Sequence, residues 1–531
     1  MHGIPFSETG CFSRFICDYL DASESLQPFY HRFPELGNYK DQLEQKARSF
    51  TQGQREILYQ GVWEQYQGVD MGEKTQTHIK QLKEPITFTV TTGHQLNLFT
   101  GPLYFLYKII STINLTVALK RAYPKYNFVP VYWMATEDHD FEEINYFNFK
   151  GKKIQWNRDA SGAVGHLKTE GLEEVFKAFS HELGNSTHAN TLKALFSKAY
   201  LEHQTLTEAT RYLANALFGA YGLVVLDGDH EALKQQLIPF AEKDIFDGLG
   251  FSKVAETISS LEALEKGYKV QVNPREINYF YVHRGIRERI IGKEQRFYIN
   301  NTDLEFSEEE LRAELHHFPR RFSPNVIARP LYQEVVLPNL CYIGGGAEVA
   351  YWFQLKGMFQ AMGIPFPIVL LRNSALVVTE KQHRKLQNLH LSPKDLFMEQ
   401  NSLINKKIRE ISNIDIDFSP QKKQLEEQFL ALYDLAEKTD KSFLGAVKAQ
   451  ESKQKKGLDK LEKRLLKAQK RKLADQVTRV ADLQDQLFPN RSLQERTLNF
   501  SELYLDMGEG LIPFLIQHLR PLHQEFMILN M

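Results

Sequence analysis

Short apolar runs of strand length alternate with helical segments over most of the chain. The runs lie at 86–92, 128–134, 222–226, 340–343 and 366–371, and they are rich in β-branched and aromatic residues. Apolar, β-branched or aromatic residues occupy nearly every position of each run, which is typical of a strand buried on both faces in a parallel sheet. The helical segments between the runs would supply the crossovers that such a sheet requires. The pattern therefore predicts an α/β fold with a doubly wound core.

Two segments interrupt this alternation. Between 146 and 219 a short β-like piece precedes helices. Between 267 and 325 several strand patterns follow one another with tight turns, which predicts a small antiparallel insertion. The predicted strands of this second insertion are 268–272, 278–283, 286–291 and 296–299.

The residues from 396 to 487 have the pattern of long helices. Glycine is nearly absent there, and Leu466, Leu473, Val480 and Leu487 recur every seven residues. We expect a helical hairpin or coiled coil whose apolar stripe one hairpin does not fully cover. Because closed two-fold dimers dominate soluble oligomers, the stripe predicts a homodimer through the coiled coil. The competing prediction is a monomer in which the stripe packs back onto the core.

These patterns divide the chain into eight segments, three of which build one sheet. In chain order we interpret them as an N-terminal helical segment that packs on the core (1–83), the first part of the core (84–145), a first connecting insertion (146–219), the second part of the core (220–266), a second, β-rich connecting insertion (267–325), the third part of the core (326–395), a helical coiled coil (396–490) and a C-terminal segment that returns to the core (491–531).

Composition argues against several classes of protein. The 531 residues include 65 lysines and arginines against 66 aspartates and glutamates, and the net charge of −1 argues against a globally basic nucleic-acid binder. No apolar run approaches the roughly 20 residues that span a bilayer, and no signal-peptide pattern is found. Only three cysteines occur, at spacings that fit neither a zinc site nor a disulfide framework. We expect a cytoplasmic protein without a membrane partner.

The first candidate site is Thr92-Gly93-His94-Gln95, which follows the first core strand. Open α/β sheets bind ligands at this edge, so these residues are candidates to contact a substrate. We expect Gly93-His94-Gln95 to form a turn that leads into a helix at 102–122, whose free N–H groups would receive an anion, and His94 to donate to a phosphate oxygen in a transition state. The alternative is that His94 and Gln95 only cap that helix.

The second candidate site is the acidic loop after the second core strand, Thr136-Glu137-Asp138-His139-Asp140. Its carboxylates could bind an amine or a divalent ion, or act as a general base, and we take Asp138 and Asp140 as the catalytic candidates. Thr136, Glu137 and His139 are candidates for substrate binding. A transition-metal site is disfavoured because one imidazole stands alone, and the plain alternative is a solvated loop that caps a helix.

The third candidate site is the turn Gly344-Gly345-Gly346 with Glu348, between a core strand and a helix. It fits no known phosphate-binding fingerprint, but its place predicts substrate binding at the same sheet edge. Glu348 could hold a ligand amine or a ribose hydroxyl. Cys341, just before the turn, is interpreted as a small buried hydrophobe.

A basic helix is predicted at 453–472, with ten lysines and arginines against two acids. Such a helix could contact nucleic acid. Aromatic residues are not interleaved with the charges, so a solvated face of the coiled coil is the preferred interpretation and a nucleic-acid partner is disfavoured.

Four stretches of the chain resemble the bacillithiol biosynthesis cysteine-adding enzymes, a family also described as cysteine ligases. The stretches are TTGHQLNLFTGPLYFLYK (91–108), VPVYWMATEDHDFEEIN (129–145), GGGAEVAYWFQL (344–355) and LFPNRSLQERTLNF (487–500). They occur in order along most of the chain. In the glycine turn, many relatives are expected to have a proline where this chain has Gly345.

The resemblance implies a Rossmann-like core similar to class I aminoacyl-tRNA synthetases, two connecting insertions and a coiled-coil domain used for dimerisation. Gly93-His94-Gln95 looks like the histidine-glycine signature of those synthetases without its second histidine. The implied reaction is the condensation of L-cysteine with glucosaminyl malate to give bacillithiol. The family is associated with adenine nucleotides, so ATP or ADP is a further expected ligand, and Arg491 and Arg496 are candidates to bind its phosphate.

The leading prediction is therefore an amide-forming ligase, with no cofactor or metal assigned. One alternative is a non-catalytic coiled-coil scaffold with a degenerate nucleotide-binding core. Another is a tRNA-binding protein similar to the synthetases, which the basic helix would serve.

Overall fold

The predicted apolar runs form strands in the computed structural model, which describes residues 2–264, 266–283, 285–439 and 441–531. Over these residues the strands are β1 (His2–Pro5), β2 (Thr87–His94), β3 (Asn127–Met134), β4 (Tyr146–Phe149), β5 (Lys152–Gln155), β6 (Val224–Asp227), β7 (Tyr279–His283), β8 (Ile286–Lys293), β9 (Arg296–Ile299), β10 (Glu305–Ser307), β11 (Phe322–Pro324), β12 (Asn339–Gly344), β13 (Ile368–Leu371), β14 (Ala375–Val378) and β15 (Glu525–Asn530).

The helices of the same residues connect and flank these strands. They are α1 (Phe6–Thr9), α2 (Arg14–Leu20), α3 (Tyr39–Ser49), α4 (Gln52–Gln65), α5 (Glu73–Gln81), α6 (Tyr104–Ala122), α7 (Phe141–Ile144), α8 (Leu172–Leu183), α9 (Thr187–Leu201), α10 (Leu206–Phe218), α11 (Glu231–Ile245), α12 (Leu249–Glu262), α13 (Glu308–His317), α14 (Ala328–Val336), α15 (Gly346–Gln354), α16 (Lys356–Met362), α17 (Glu380–Asn388), α18 (Gln400–Ile411), α19 (Ser419–Ala436), α20 (Lys441–Lys472), α21 (Ala474–Leu487), α22 (Gln494–Thr497), α23 (Phe500–Met507) and α24 (Leu511–His518). None of the described helices is both long and apolar enough to cross a membrane.

The chain folds as two units. The first comprises Met1–Leu376 and Leu493–Leu529, and the second comprises Val377–Ser492 and Asn530–Met531. Within the first unit, β1 pairs antiparallel with β15, so that the two ends of the chain lie in one sheet. The finer division into eight segments stays a prediction.

The core of the first unit is a five-stranded parallel sheet in the order β13-β12-β2-β3-β6. Its central strand β2 is buried at every position, which explains why its sequence is a continuous apolar and threonine run. Strand order reverses between β2 and β12, because β3 and β6 lie on one side of β2 and β12 and β13 on the other. This is the switch point at which doubly wound sheets open a crevice for ligands. The predicted α/β, doubly wound core is confirmed.

The predicted helix at 102–122 forms as α6, but Gly93 and His94 end a strand instead of forming the turn that leads into this helix. Strand β2 continues to His94, and α6 begins only at Tyr104. Phe99, Thr100 and Gly101 all have positive φ, a backbone conformation that an α-helix excludes. At Gly101 a side chain would also collide with Asn97, since a Cβ would lie 2.7 Å from the Asn97 Cβ.

The first insertion begins with a hairpin. Strands β4 and β5 pair antiparallel, with Tyr146 opposite Gln155. Three helices, α8 to α10, follow the hairpin, as the sequence pattern predicts.

The second insertion is an antiparallel sheet in the order β10-β9-β8-β7-β11. Three of its four predicted strands form, but 268–272 does not. The backbone of this segment hydrogen-bonds instead to the amide of Gln354, which accepts from Gln271 N at 2.8 Å and donates to Val272 O at 2.7 Å. A side chain of α15 thus takes the place of a neighbouring strand.

The second unit is helical, and α19 and α20 pack together around Phe429, Ala436 and Val447. Most of the predicted heptad stripe does not face solvent, because Leu466, Val480 and Leu487 are buried and Leu473 is half-buried. The expectation that one chain leaves this stripe uncovered is therefore wrong. The seven-residue period therefore marks a helix face that packs against other parts of the same chain.

A buried ion pair fastens α3 to the core sheet. Lys46 Nζ lies 3.4 Å from the Glu334 carboxylate and donates to the Glu334 carbonyl at 2.9 Å. Asn339, the first residue of β12, donates to the same carboxylate at 2.6 Å. The Asn339 amide oxygen accepts from Thr91 and Thr89 of β2, at 2.9 and 3.2 Å. The pair therefore also sets the register of β12 against β2.

Replacing Lys46 with methionine should lower the free energy of unfolding by about 3 kcal/mol or more. The substitution leaves the Glu334 carboxylate buried without its cation, and breaking one side of a buried pair costs in this range. Urea unfolding followed by circular dichroism measures the change. Arg48→Met is the control, since Arg48 pairs with Glu44 on the surface and its loss should cost less than about 1 kcal/mol. Equal losses in the two variants would contradict this account.

Candidate active site

A cavity of about 1140 Å³ opens where the parallel strands end. Its walls come from the ends of β2 and β3, the turn after β12, the acidic loop and the second insertion. The predicted site residues in its lining are Gly93, His94, Gln95, Thr136, Glu137, Asp138, His139, Gly345, Gly346, Glu348 and Arg496. The structure therefore brings members of all three candidate clusters together, as the sheet topology requires.

Four predicted site residues are not in this lining. Thr92 donates its hydroxyl to the Ile343 carbonyl at 2.8 Å and ties β2 to β12. The Gly344 carbonyl accepts from the backbone of Arg372 at 2.8 Å. Asp140 is exposed at the start of α7, and Arg491 belongs to the second unit.

The buried ammonium of Lys108 joins two of the clusters. Its Nζ donates to the Gly93 carbonyl at 2.7 Å and lies 2.6 Å from the Glu348 carboxylate. Glu348 also accepts from the Gly345 backbone and the Tyr342 hydroxyl, each at 2.7 Å. Burial alone would raise the pKa of Glu348, but Lys108 and these hydrogen bonds hold it below its usual value. Glu348 thus caps α15 and fixes the glycine turn against β2.

His94 is a neutral acceptor at the closed end of the cavity. Its ring packs against Tyr104 and Phe105, and its Nδ1 lies 2.8 Å from the Gln95 carbonyl. A carbonyl only accepts, so Nδ1 carries the proton and Nε2 keeps its lone pair. Burial, reinforced by the charge of Lys108, lowers the His94 pKa to about 3. The sequence suggested that His94 donates to a ligand. With Nδ1 already protonated, donation from Nε2 would need a positively charged ring, which burial and Lys108 oppose.

The acidic loop contains two carboxylates with opposite shifts. Asp138 accepts from Gln95 Nε2 at 2.8 Å and from the His139 backbone at 2.7 Å. Burial acts to raise the Asp138 pKa, yet these hydrogen bonds outweigh it and hold the pKa well below the usual range. Glu137 lies 2.5 Å from Lys234. Burial raises the Glu137 pKa above its ordinary value in spite of that cation.

Positive side chains outnumber negative ones in the lining of the cavity. Most of these cations were not predicted from the sequence. Seven lysines and arginines face four aspartates and glutamates. The cations are Lys108, Arg275, Arg287, Arg289, Arg329, Arg372 and Arg496. Three of the arginines belong to the second insertion, where alternation along β8 was a usable signal, because Arg287 and Arg289 share one face of that strand. The excess charge suits an anionic ligand.

Several polar atoms of lining residues are buried without a partner among the described residues. They are His94 Nε2, Asn97 Oδ1, Tyr279 OH, Arg329 Nη2 and Arg372 Nε. Buried polar groups in proteins are nearly always hydrogen-bonded, so leaving these atoms unpaired costs folding free energy.

Two further features bear on the chemistry of the site, the metal-ligating residue types and Cys341. In the part of the chain that the structure describes, no group of three or more histidines, cysteines or acids is placed to hold a metal ion. Cys341 is buried, and burial raises its pKa to about 12. Its thiol therefore stays protonated, and the interpretation of Cys341 as a small core residue is confirmed.

The fold and this cavity define a Rossmann-like α/β protein with a cavity where its parallel strands end and with a helical coiled-coil region. The N-terminal Rossmann-like domain of the bacillithiol biosynthesis BshC family matches residues 1–373, and the coiled-coil domain of that family matches residues 375–531. The chain belongs to this family, and the resemblance drawn from the four sequence stretches is confirmed.

Similar proteins share the whole length of the chain. The relative from Flavobacterium johnsoniae is 56% identical over 99% of both chains, and that from Christiangramia forsetii is 55% identical over 99% of this chain and 98% of its own. Both are named "Putative cysteine ligase BshC". A solved structure described as a putative arginyl tRNA synthetase from Campylobacter jejuni covers 83% of this chain and 97% of its own at 11% identity, but its TM-score of 0.22 supports no argument.

The His94 ring should stay neutral, with its proton on Nδ1, down to about pH 4. Burial and the nearby Lys108 charge cause the low pKa. Long-range ¹⁵N–¹H spectra of histidine-labelled protein measure the tautomer and the titration, and His94→Leu assigns the signals. His166 is the internal control, because Asp229 raises its pKa above 6.5. A His94 signal that titrates near 6.5, or one with a protonated Nε2, would refute the assignment.

Proposed function

We propose that this chain is a cysteine ligase that joins the carboxyl group of L-cysteine to the amine of glucosaminyl malate, which yields bacillithiol. The observation that carries the proposal is the pair of neighbouring carboxylates in the cavity, Asp138 with a lowered pKa and Glu137 with a raised one. Amide formation from a charged amine needs one group that attracts the ammonium and another that removes a proton. Family membership and the names of the relatives support the same reaction.

Asp138 is the group that holds the substrate amine. Its low pKa keeps it ionised, which favours attraction of an ammonium ion but makes it a poor acceptor of a proton. Gln95 fixes the carboxylate, since its amide donates both to Asp138 at 2.8 Å and to Glu143 at 3.0 Å. The ammonium would thus meet an oriented anion at the mouth of the strand-end cavity.

Glu137 is the general base of this proposal. Its raised pKa lies closer to neutral pH than that of an ordinary glutamate, and a carboxylate with a higher pKa is a better proton acceptor. The ammonium first loses one proton to Glu137, which frees the nitrogen lone pair. The neutral amine then attacks the activated carbonyl carbon of cysteine, its second proton passes to solvent, and the activating group leaves with the carboxyl oxygen. Asp140, the second catalytic candidate from the sequence, is exposed outside the cavity lining and receives no role here.

The carboxylate of cysteine needs activation because oxide is a very poor leaving group. We assign ATP as the source of that activation, with Arg496 at the cavity as the contact for its phosphates. His94, whose Nε2 is a free acceptor, would bind an N–H or S–H group of a substrate. The three cysteines are free thiols, which agrees with a cytoplasmic location for this reaction.

The direct test is product formation. Purified protein incubated with L-cysteine, glucosaminyl malate and ATP should yield bacillithiol, detected by mass spectrometry, and omission of any one component should abolish it. Calorimetry with each substrate alone separates binding from turnover. A protein that bound neither cysteine nor glucosaminyl malate would overturn the proposal and favour a scaffold, whereas tight binding of tRNA alone would favour the synthetase-like alternative.

Glu137→Gln should lower the turnover number by about 100-fold or more, because it removes the base without changing the shape of the side chain. In the unsubstituted chain the rate should fall with decreasing pH through a pKa above 4.5, the ordinary glutamate value. Lys234→Met should shift this acid limb to higher pH, since the Lys234 charge lowers the Glu137 pKa.

Rate measurements from pH 5 to 9 on both variants decide this assignment. Glu142→Gln is the matched control, because Glu142 lies in the same loop but is exposed and outside the cavity lining. It should retain the full rate and the original pH profile. An acid limb that stayed in place in Lys234→Met would remove Glu137 from the role of base.

We also propose that the chain forms a homodimer through its helical unit, although not through the predicted heptad stripe. The most exposed leucines of that unit are Leu430, Leu435 and Leu461, at 62%, 54% and 53% of full exposure. They lie on α19 and α20, the two helices of one hairpin. A second copy of the hairpin is the partner that would cover them.

Light scattering should give a mass close to twice 61.6 kDa for the intact chain, and Leu430→Glu with Leu461→Glu should reduce it to the monomer value. Charges placed in an apolar interface oppose association because they would be buried unpaired. Leu36→Glu, an equally drastic change at an exposed leucine of the first unit, should leave the mass unchanged. A monomeric intact chain at micromolar concentration would end the dimer proposal.

A further inference from the structure

We propose that arginines of the second insertion, Arg275, Arg287 and Arg289, form a dicarboxylate subsite that binds the malate half of glucosaminyl malate. The inference rests on the proposed function and names the residues that would select this substrate. The three side chains line the same cavity as the acidic loop. They belong to a part of the chain that no candidate site of the sequence analysis included.

Strand β8 presents two of the arginines together. Arg287 and Arg289 are two residues apart, and alternate residues of a strand lie on the same face. Arg289 stands opposite Phe280 of β7, and the Arg287 guanidinium lies 3.9 Å from the centre of the Phe280 ring. The intervening Glu288 is used elsewhere, with its carboxylate 3.3 Å from the Asn301 amide. The cavity face of β8 is therefore cationic without an acidic neighbour from its own strand.

Arg287 is held in place from several sides. Its Nε donates to the Ser323 hydroxyl at 3.2 Å, its Nη1 lies 2.9 Å from His139 Nδ1, and its ring contact with Phe280 fixes the plane. A guanidinium that is already oriented loses little entropy when it binds a carboxylate. Arg287 is therefore a fixed anion-binding group and not a mobile surface charge.

The side chains of Arg275 and Arg289 are exposed and lie at the wall of the cavity. Neither side chain forms a hydrogen bond or an ion pair with any residue that the structure describes. Arginine binds carboxylates in a two-pronged geometry that lysine cannot reproduce. Two exposed guanidinium groups beside a fixed third one match a ligand that carries two carboxylates.

The position of the arginines fits the covalent structure of the substrate. In a 2-amino-2-deoxyglucoside the amine on C2 neighbours the glycosidic oxygen on C1, which here carries malate. The ammonium and the carboxylates therefore lie close together. In the cavity, His139 connects the two charges in the same way, because its backbone donates to Asp138 at 2.7 Å and its ring lies 2.9 Å from Arg287. An amine at Asp138 thus places malate next to Arg287.

Calorimetry on the full-length protein tests this inference with two ligands, glucosaminyl malate and methyl glucosaminide, which has the amine but no carboxylate. Arg275→Ala and Arg289→Ala should each weaken glucosaminyl malate binding about tenfold or more, the usual effect of losing a charged hydrogen bond, and Arg289→Lys should recover part of the loss. Binding of methyl glucosaminide should not change. Arg296→Ala on β9, whose guanidinium pairs with Glu305, is the matched control and should bind both ligands normally.

The outcomes separate this inference from the proposed function. If the unsubstituted chain bound glucosaminyl malate and the Arg275→Ala, Arg289→Ala double variant bound it equally well, the subsite would be refuted while the ligase proposal stood. If the double variant lost affinity for ATP alone, the arginines would be a nucleotide phosphate site and the inference would also fall. If the unsubstituted chain bound neither glucosaminide, the proposed function and this subsite would fall together.

Discussion

The ammonium of Lys108 is the interaction on which the candidate site depends. It is buried at the reversal of strand order. There it contacts the end of β2 through the Gly93 carbonyl and the start of α15 through Glu348. A parallel sheet offers no direct hydrogen bonds between loops that follow its strands, so these loops need a separate connection. One cation supplies it, and its charge also contributes to the low pKa of His94. The position of the glycine turn against β2 and the neutral state of His94 therefore both depend on the charge of Lys108.

The charges that line the cavity come from different parts of the chain. The core sheet supplies the acidic loop after β3, while the second insertion supplies arginines on β8 and near β7. His139 and Arg287 join these two parts at 2.9 Å. An insertion that interrupts a common fold can thus set which ligand the fold accepts, because it adds charges to a cavity whose position the sheet already determines.

The sequence predicted the core well, because the strands of the parallel sheet are runs of mostly apolar or β-branched residues and the order of helices and strands allows few topologies. It also predicted that His94, Asp138 and Glu348 would meet. It failed where a local pattern was overruled by distant contacts. Residues 268–272 have strand character, but Gln354 takes their hydrogen bonds. The heptad leucines form a face buried within the chain. The cavity arginines are scattered singly along the sequence, so only the fold shows that they converge.

The unpaired buried atoms around the cavity link occupancy to stability. Leaving a buried donor or acceptor without a partner costs on the order of 1–3 kcal/mol, and five such atoms belong to lining residues such as Asn97, Tyr279 and Arg372. A ligand that occupies the cavity binds the folded chain and not the unfolded one, so it offsets this cost and shifts the folding equilibrium by mass action. The half-life of the protein in a cell would then follow the supply of its substrates. A starved enzyme would be degraded sooner than a saturated one.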